Sequence, residues 1–376
     1  MAFFESEASS VTIDLEAIRD NIRFLLSSVS KGCRLMPVVK SDAYGHGIVE
    51  VASMLEEERI WGFGIYEMDE AAILRRAGVH KPIFLLSGLL GDDAEKVIEF
   101  DLTVGCVSIQ ELTQVNEAAR AHGKKAQVHV KVDTGMSRFG MSPEEICWIV
   151  ENLDKFQNLT VCGLYSHLAC ADEPDSPTNH KQLVAFKELV RRVHDMGWRP
   201  KFIHMANSAA IFSLKDSLFT MARPGIAVYG ALKLPHGLAL DTKLQQAMTF
   251  KSKIIHMRTL PRGAGVSYGH TFVMEKDSKI ALVPVGYDNG YLRTLSNRAH
   301  VLINGIRCPV VGNVCMKTIM VDVGNVKGCK PGDEVVLMGR QGAETIGAIE
   351  LAQRASTISY EILCLLGKLN RRKFIG

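Results

Sequence analysis

The lysine at position 40 ends a short apolar segment and begins a run of small and polar residues. Residues 35–39, Leu-Met-Pro-Val-Val, are typical of a buried strand, and residues 41–47, Ser-Asp-Ala-Tyr-Gly-His-Gly, are typical of a loop. A lysine amine that is held at a strand end and partly removed from water can form a Schiff base with an aldehyde cofactor. A single lysine at a strand end is more often a surface residue, so the other motifs decide between the two interpretations.

Arginine and histidine side chains follow two later apolar segments. Arg138 lies in the segment Lys-Val-Asp-Thr-Gly-Met-Ser-Arg-Phe-Gly at positions 131–140, where an arginine on a glycine-containing loop could bind a carboxylate with two hydrogen bonds. The alternative is a surface arginine paired with Asp133 or Glu144. His167 ends the segment Tyr-Ser-His, and a single histidine there is usually a hydrogen-bonded core residue.

Two further segments have the composition of a phosphate site. Ser208 lies in His-Met-Ala-Asn-Ser-Ala-Ala at positions 204–210, which we expect to begin a helix, and Gly225 lies in Ala-Arg-Pro-Gly-Ile at positions 222–226. A hydroxyl at a helix N-terminus and the amides of a glycine turn both bind phosphate. The alternative is an N-cap serine and an ordinary Pro-Gly turn.

The elements that would position these groups alternate between strand and helix. Helix-period segments separate eight apolar runs, which predicts an α/β fold with an N-terminal (β/α)8 TIM-like barrel over residues 11–235. In such a barrel the catalytic groups lie at the carboxyl ends of the strands. The predicted strands are Leu35–Lys40, Trp61–Tyr66, Pro82–Ser87, Leu102–Val107, Ala126–Val132, Leu159–Ser166, Phe202–Met205 and Thr220–Ala222.

The pattern changes after the barrel and predicts a C-terminal, mainly antiparallel β domain over residues 236–376, together with residues 1–10. One helix, Thr345–Arg354, would interrupt it, and residues 11–15 could pair with its strands. Tyr268 lies between small residues and should be exposed. The predicted strands of this domain are Ala247–Arg258, Lys279–Val285, His300–Cys308, Thr318–Val323 and Glu334–Met338.

The composition excludes several function classes. A net charge of +3 without a basic stripe argues against nucleic acid as a partner. No apolar stretch is long enough to span a membrane, and the start lacks a secretory signal. The nine cysteines form no Cys-x-x-Cys pair and no zinc-type spacing, so we expect no metal and a reducing, cytoplasmic location.

The block around Lys40 and the block around Arg138 resemble two long motifs of alanine racemases, and the resemblance extends over almost the whole chain. It implies that Lys40 bonds pyridoxal 5'-phosphate and that Tyr268, from the other subunit of a homodimer with shared active sites, is the second catalytic base. The residues that it implies for the cofactor phosphate are Tyr44, Ser208, Gly225, Ile226 and Tyr360.

The same resemblance implies roles for five other residues. Arg223 would face the pyridine nitrogen and contact His167, which would also tune Tyr268. Arg138 would bind the cofactor's phenolic oxygen and the substrate carboxylate, and the main-chain amide of Met316 would help to bind that carboxylate. Lys131 matches a lysine that is carbamylated in some members.

The reaction implied is the interconversion of L- and D-alanine, which would supply D-alanine for peptidoglycan. Lys40 and Tyr268 would serve opposite faces of the α-carbon as acid and base. An arginine at the pyridine nitrogen does not give up its proton, and this distinguishes the chain from related barrel decarboxylases, which place an acidic residue there.

The chain departs from the family near the substrate entry. Besides an alanine racemase, two other functions stay open. The usual Gly-Arg-Val-x-Met-Asp is Gly-Asn-Val-Cys-Met-Lys at positions 312–317, and Gly-Tyr-Ala-Asp-Gly is Gly-Tyr-Asp-Asn-Gly at 286–290. Ser-Tyr-Gly-Arg-Thr has become Ser-Tyr-Gly-His-Thr at 267–271. The changes at Asn313 and Lys317 permit a racemase for serine or a basic amino acid. A non-catalytic cofactor-binding protein is the third possibility, and the presence of Tyr268 argues against it.

Overall fold

The computed structural model of the protein describes residues 9–233 and 243–376. The predicted domain boundary between residues 235 and 236 lies outside these ranges, as do residues 1–8. Within them, no helix is both long and apolar enough to cross a membrane.

The first half of the chain alternates strands and helices. Its strands are β1 (Ser9–Asp14), β2 (Arg34–Leu35), β3 (Phe63–Ile65), β4 (Ile83–Leu85), β5 (Leu102–Cys106), β6 (Ala126–Lys131), β7 (Leu159–Tyr165), β8 (Phe202–His204) and β9 (Met221–Ala222). Its helices are α1 (Leu15–Ser28), α2 (Lys40–Tyr44), α3 (Ile48–Leu55), α4 (Met68–Arg76), α5 (Asp93–Glu99), α6 (Ile109–Ala121), α7 (Pro143–Glu151), α8 (Pro177–Asp195) and α9 (Ala210–Ser213).

Eight of these strands form the predicted barrel. A parallel sheet runs in the order β3-β4-β5-β6-β7-β8, and β2 pairs in parallel with β9. Parallel bridges from Val38 to Gly64 and from Asn207 to Arg223 join this pair to the two edges of the sheet. The barrel fold is therefore confirmed, although the first and last strands are shorter than their apolar runs.

The second half of the chain is rich in strands. Its strands are β10 (Met248–Lys253), β11 (His256–Leu260), β12 (Gly265–Val266), β13 (Phe272–Val273), β14 (Ser278–Val283), β15 (His300–Ile303), β16 (Ile306–Pro309), β17 (Ile319–Asp322), β18 (Glu334–Gln341), β19 (Glu344–Ile346) and β20 (Arg372–Ile375). Two helices, α10 (Ala348–Ala355) and α11 (Ser359–Leu369), precede the last strand.

A seven-stranded sheet in the order β16-β15-β18-β10-β1-β20, with β19 on β18, is the largest sheet of this half. The expected pairing of residues 11–15 with the second domain is confirmed, because β1 lies antiparallel to β10 and parallel to β20. Two predictions were wrong in detail. The run Ala247–Arg258 divides into β10 and β11, which belong to different sheets. The range of the single predicted helix, Thr345–Arg354, contains the end of β19 and most of α10, and the second helix, α11, follows outside it.

Helix α11 returns from the second half of the chain to the barrel and packs against the turn that follows Lys40. A β-carbon on Gly45 would lie 2.6 Å from the carbonyl oxygen of Leu363, so only glycine permits this approach. Arg372, in β20, donates to the carboxylate of Asp42 and to the carbonyl of Gly45 in the same turn. The second half of the chain thus forms part of the surroundings of Lys40.

Candidate active site

A cavity of about 200 Å³ opens at the carboxyl ends of the barrel strands. It brings together ten of the residues that the sequence predicted for the site. These are Lys40, Tyr44, Lys131, Arg138, His167, Ser208, Arg223, Gly225, Ile226 and Tyr360.

Lys40 begins a left-handed turn of the backbone. The φ angles of Ser41, Asp42, Ala43 and Tyr44 are 55°, 57°, 52° and 55°. Because this conformation costs about 1–2 kcal/mol for each residue with a side chain, other contacts have to hold the turn. The amide of Ser41 donates to a Glu70 oxygen at 2.5 Å, and an Asp42 oxygen accepts from the amide of Ile48 at 2.7 Å.

The amine of Lys40 is half-buried and lies over an aromatic ring. Its nitrogen is 4.9 Å from the ring centroid of Tyr66. Burial and the positive charge of Arg138 lower the pKa of Lys40, while Glu70 and Cys364 raise it. A lowered pKa increases the fraction of free amine, which is the form that attacks an aldehyde.

The loops after β8 and β9 form a small polar pocket at the other end of the cavity. The hydroxyl of Ser208 accepts hydrogen bonds from the amides of Gly225 at 2.8 Å and Ala227 at 3.2 Å. A β-carbon on Gly225 would lie 2.3 Å from the hydroxyl of Tyr44, so glycine lets this phenol approach the backbone. Ser208 lies before the four-residue helix α9, and it is the side chain of Asn207 that accepts from the amide of Ala210, the first residue of the helix.

Arg223 is a fully buried cation whose partners in the described ranges are not carboxylates. Its guanidinium donates to the Nδ1 atom of His204 at 2.5 Å, to the carbonyl of Ser166 at 2.7 Å and to the Nδ1 atom of His167 at 3.1 Å. Burial lowers the pKa of Arg223 to about 10, which leaves it charged at neutral pH. Burial and Arg223 together hold the pKa of both histidines well below the usual range. Arg223 therefore presents a positive charge that neutral groups hold in place.

Arg138 and Lys131 approach the cavity from the end of β6. An oxygen of Asp133 accepts from the amides of Gly135 at 2.8 Å and Met136 at 2.9 Å, so this carboxylate shapes the loop. Burial, Arg223 and Arg138, in that order, lower the pKa of Lys131 to about 8. Arg138 is exposed, as a side chain that meets a ligand from solution would be.

Tyr268 and Met316 do not line this cavity. Both lie in the second half of the chain, with exposed fractions of 75% and 57%. The side-chain amide of Asn313 donates to the carbonyl of Tyr268 at 2.6 Å, which holds the two segments together. Lys317 forms an ion pair with Asp288, so two of the residues that depart from the family pattern compensate each other's charge.

Several residues of the site were not among the predicted ones. Tyr66 and Leu86 line the cavity at the ends of the second and third predicted strands, where the strand-end rule would have found them. Asn207 belongs to a segment already singled out. Glu70 carries no sequence signal of a role at Lys40, because it comes from the first turn of α4.

The donor set fits a planar aldehyde that carries a phosphate, as pyridoxal phosphate does. The amine of Lys40 and the guanidinium of Arg223 both face the cavity. The hydroxyls of Ser208 and Tyr44, which lie against the glycine turn at Gly225, can each donate a hydrogen bond to a phosphate oxygen. The cavity therefore contains an amine, a cation and a pocket suited to phosphate.

Comparison with known proteins shows the family of the chain. Residues 13–233 match the family model of the alanine racemase N-terminal domain, and residues 247–374 match that of the C-terminal domain. The alanine racemase of Symbiobacterium thermophilum is 42% identical over 364 residues, which cover 97% of this chain and 96% of that protein.

Solved structures show the same similarity. The alanine racemase of the D-cycloserine-producing Streptomyces lavendulae is 36% identical with a TM-score of 0.92, covering 98% of this chain and 97% of that one. The alanine racemase of Bartonella henselae, solved with covalently bound pyridoxal phosphate, is 31% identical with a TM-score of 0.87, covering 98% and 99%. The chain therefore belongs to the alanine racemase family, whose members are pyridoxal-phosphate-dependent isomerases of amino acids.

Proposed function

We propose that this protein interconverts L- and D-alanine, with Lys40 and Tyr268 as its two catalytic bases. The observation that carries the proposal is the half-buried amine of Lys40, which shares one cavity with Arg223 and the Ser208–Gly225 pocket. Every relative described above is named an alanine racemase, which supports alanine as the substrate.

Pyridoxal phosphate would be held by residues of the barrel. Lys40 would bond its aldehyde carbon, and Arg223 would face its ring nitrogen. Its phosphate would lie in the pocket of Tyr44, Ser208, Gly225, Ile226 and Tyr360. When bound, its conjugated ring would stabilise the negative charge that develops as the α-proton of an amino acid leaves.

Arg223 would control where that charge accumulates. Because it stays protonated at neutral pH and has histidines and a carbonyl as partners, it would donate a hydrogen bond to the ring nitrogen without transferring a proton. A carboxylic acid at this position would protonate the ring. The network thus favours return of the proton to the α-carbon over side reactions.

Two faces of the α-carbon need two proton carriers. The Nζ atom of Lys40 would take or return the proton on one face, and the lowered pKa of this amine suits the task. The partner subunit's Tyr268 would serve the other face. The exposure of Tyr268 and Met316, and their absence from the lining of the cavity in their own chain, support a homodimer that shares its active sites.

Three more residues would bind the substrate carboxylate or orient the side chain that binds it. Arg138 would bind the substrate carboxylate, and the partner subunit's Met316 would add its main-chain amide. A neutral lysine amine is the form that reacts with carbon dioxide, so the pKa of about 8 supports a carbamate on Lys131 that would orient Arg138. The supply of D-alanine to peptidoglycan is the physiological role that the family suggests.

The test is exchange of the α-proton in deuterated water. Protein loaded with pyridoxal phosphate is incubated with L-alanine, and both enantiomers are separated and analysed for deuterium. Deuterium in D-alanine and in the recovered L-alanine is the expected result. Bound cofactor without exchange into alanine would overturn the proposed substrate, and a panel containing serine, lysine and arginine would then identify another.

A further inference from the structure

Glu70 is a buried carboxylate whose hydrogen bonds all go to backbone near Lys40. One oxygen accepts from the amide of Ser41 at 2.5 Å. The other accepts from the amides of Tyr66 at 2.9 Å and Glu67 at 3.1 Å. The side chain therefore joins the left-handed turn that begins at Lys40 to the loop after β3.

Two of these contacts hold residues that lie next to Lys40, one in the sequence and one in space. The Ser41 amide belongs to the first residue of the left-handed turn, which costs free energy and needs partners outside itself. The Tyr66 amide belongs to the residue whose ring lies 4.9 Å from the lysine nitrogen. We propose that Glu70 is a positioning residue for Lys40, because one carboxylate fixes both the backbone that follows the lysine and the aromatic ring against which its amine lies.

The proposal rests on the role given to Lys40 under the proposed function. The ionisable groups around the lysine amine come from several elements. Arg138 follows β6 and Lys131 ends it, Glu70 is on α4 and Cys364 is on α11. Tyr66, in the loop after β3, and His167, in the loop after β7, also lie near this amine. Glu70 is the one carboxylate among these groups, and its charge raises the pKa of Lys40 against the effects of burial and Arg138.

The barrel contains a second buried glutamate that joins two loops by hydrogen bonds to their backbone, and this one lies away from Lys40. Glu111 is the third residue of α6, as Glu70 is of α4, and it is also buried. Its two oxygens accept from the amides of Val107, in the loop before α6, and Leu89, in the preceding loop of the barrel. Loop bridging by a glutamate in the first helical turn is thus a repeated feature, and only the copy at Glu70 reaches the turn of Lys40.

The experiment compares Glu70→Gln with Glu111→Gln. Each substitution replaces acceptor oxygens by an amide that cannot accept from every backbone donor, so each should lower stability by a similar amount. In cofactor-free protein, the reactivity of Lys40 toward acetic anhydride is followed against pH by mass spectrometry of the labelled peptide. We expect the apparent pKa of Lys40 to fall in Glu70→Gln and to stay at the wild-type value in Glu111→Gln.

Binding of pyridoxal phosphate to the same variants gives the second readout. We expect affinity about tenfold weaker for Glu70→Gln and within about twofold of wild type for Glu111→Gln. Glu70→Asp retains the charge but is too short to reach the amide of Ser41. It should therefore weaken the binding of pyridoxal phosphate, while the pKa of Lys40 should change less than in Glu70→Gln. If Glu70→Gln does not fold, Glu70→Asp takes its place in both measurements.

Two results would overturn the role of Glu70. They are an unchanged labelling profile of Lys40 in Glu70→Gln, or equal effects of the Glu70→Gln and Glu111→Gln substitutions. The labelling requires neither cofactor nor activity. Failure of the wild-type protein to bind pyridoxal phosphate would therefore contradict the proposed function and leave the labelling comparison to decide on Glu70.

Discussion

Gly45 and Gly367 are in backbone contact, and a β-carbon on Gly367 would lie 2.0 Å from the carbonyl oxygen of Gly45. The contact joins helix α11, from the second half of the chain, to the turn that follows Lys40. Tyr360 lies near the start of the same helix, with its ring centroid 5.8 Å from that of Tyr44. One glycine pair thus sets the distance between the lysine turn and a tyrosine of the proposed phosphate pocket.

We expect Gly367→Ala to destabilise the protein by about 1–3 kcal/mol, because the atoms in the way are backbone and cannot rotate aside. The measurement is the denaturant midpoint of unfolding, together with the affinity for pyridoxal phosphate, which should also fall. Gly32→Ala is the control, since no atom lies within 4 Å of the β-carbon it would add. Equal stability of the two variants would show that α11 can move away from the turn at little cost.

A mixture of two inactive variants tests the sharing of active sites. Lys40→Ala and Tyr268→Phe should each lose racemisation as homodimers. A heterodimer of the two has one site that combines the intact Lys40 of one subunit with the intact Tyr268 of the other. Equal mixing with subunit exchange should therefore restore about a quarter of wild-type activity, because half of the dimers are mixed and each has one complete site.

The outcome of the mixing experiment separates two arrangements. If Tyr268 served the cavity of its own subunit, neither site of the heterodimer would be complete and the mixture would stay inactive. The double variant Lys40→Ala/Tyr268→Phe, mixed with Lys40→Ala, is the control, because none of its dimers has a complete site in either arrangement.

Tyr360 should limit the size of the substrate side chain. Its ring borders the cavity that contains Lys40 and Arg138. We expect Tyr360→Asn to raise the kcat/KM for serine relative to alanine by about tenfold, because the smaller side chain leaves room for a hydroxyl group. Tyr360→Phe retains the ring and should leave the ratio unchanged. An unchanged ratio in Tyr360→Asn would show that another residue limits the pocket.

Two buried histidines should make the protein sensitive to acid. Burial lowers the pKa of His129 to about 3, with a further contribution from Arg223, and burial lowers the pKa of His46 to about 4. Below pH 6.5 the unfolded chain binds protons at these positions and the folded chain does not. Stability therefore falls as the pH drops from about 6.5 to about 4, by up to about 1.4 kcal/mol per pH unit for each histidine.

The substitution His129→Gln isolates one of these contributions. Glutamine can accept the hydrogen bond that reaches the Nδ1 atom of His129 from His204, and it does not titrate. The free energy of unfolding of this variant, measured in urea between pH 7 and pH 4, should decline less steeply than that of the wild type.

The sequence predicted the barrel and most of its cavity because the relevant signals are local. Lys40, Arg138 and Ser208 each follow an apolar run, and the ends of parallel strands meet at one edge of a barrel. The left-handed turn at Ser41–Tyr44 has no such signal, since its residues are not glycines. Contacts from Glu70 and Arg372, distant in sequence, hold it in place.

Helix α11 was missed for a related reason. Gly367 lies inside its apolar pattern and lowers the helix propensity, and the compensating contact with Gly45 is invisible without the fold. The changes at Lys317 and Asp288 could not be interpreted from the sequence for the same reason, because each one alone alters the charge of the entry. Their ion pair shows that they form one compensated change.

The position of β1 between β10 and β20 has a consequence for protein synthesis. Residues 9–14 leave the ribosome early, but their two neighbours in the sheet are residues 248–253 and 372–375. Arg372 and Asp42, which it binds, are likewise 330 positions apart. A growing chain can assemble most of the barrel and still lack the contacts of Arg372 with the lysine turn until residue 372 has been made. The turn at Lys40 therefore gains its full set of contacts only after translation has passed this point.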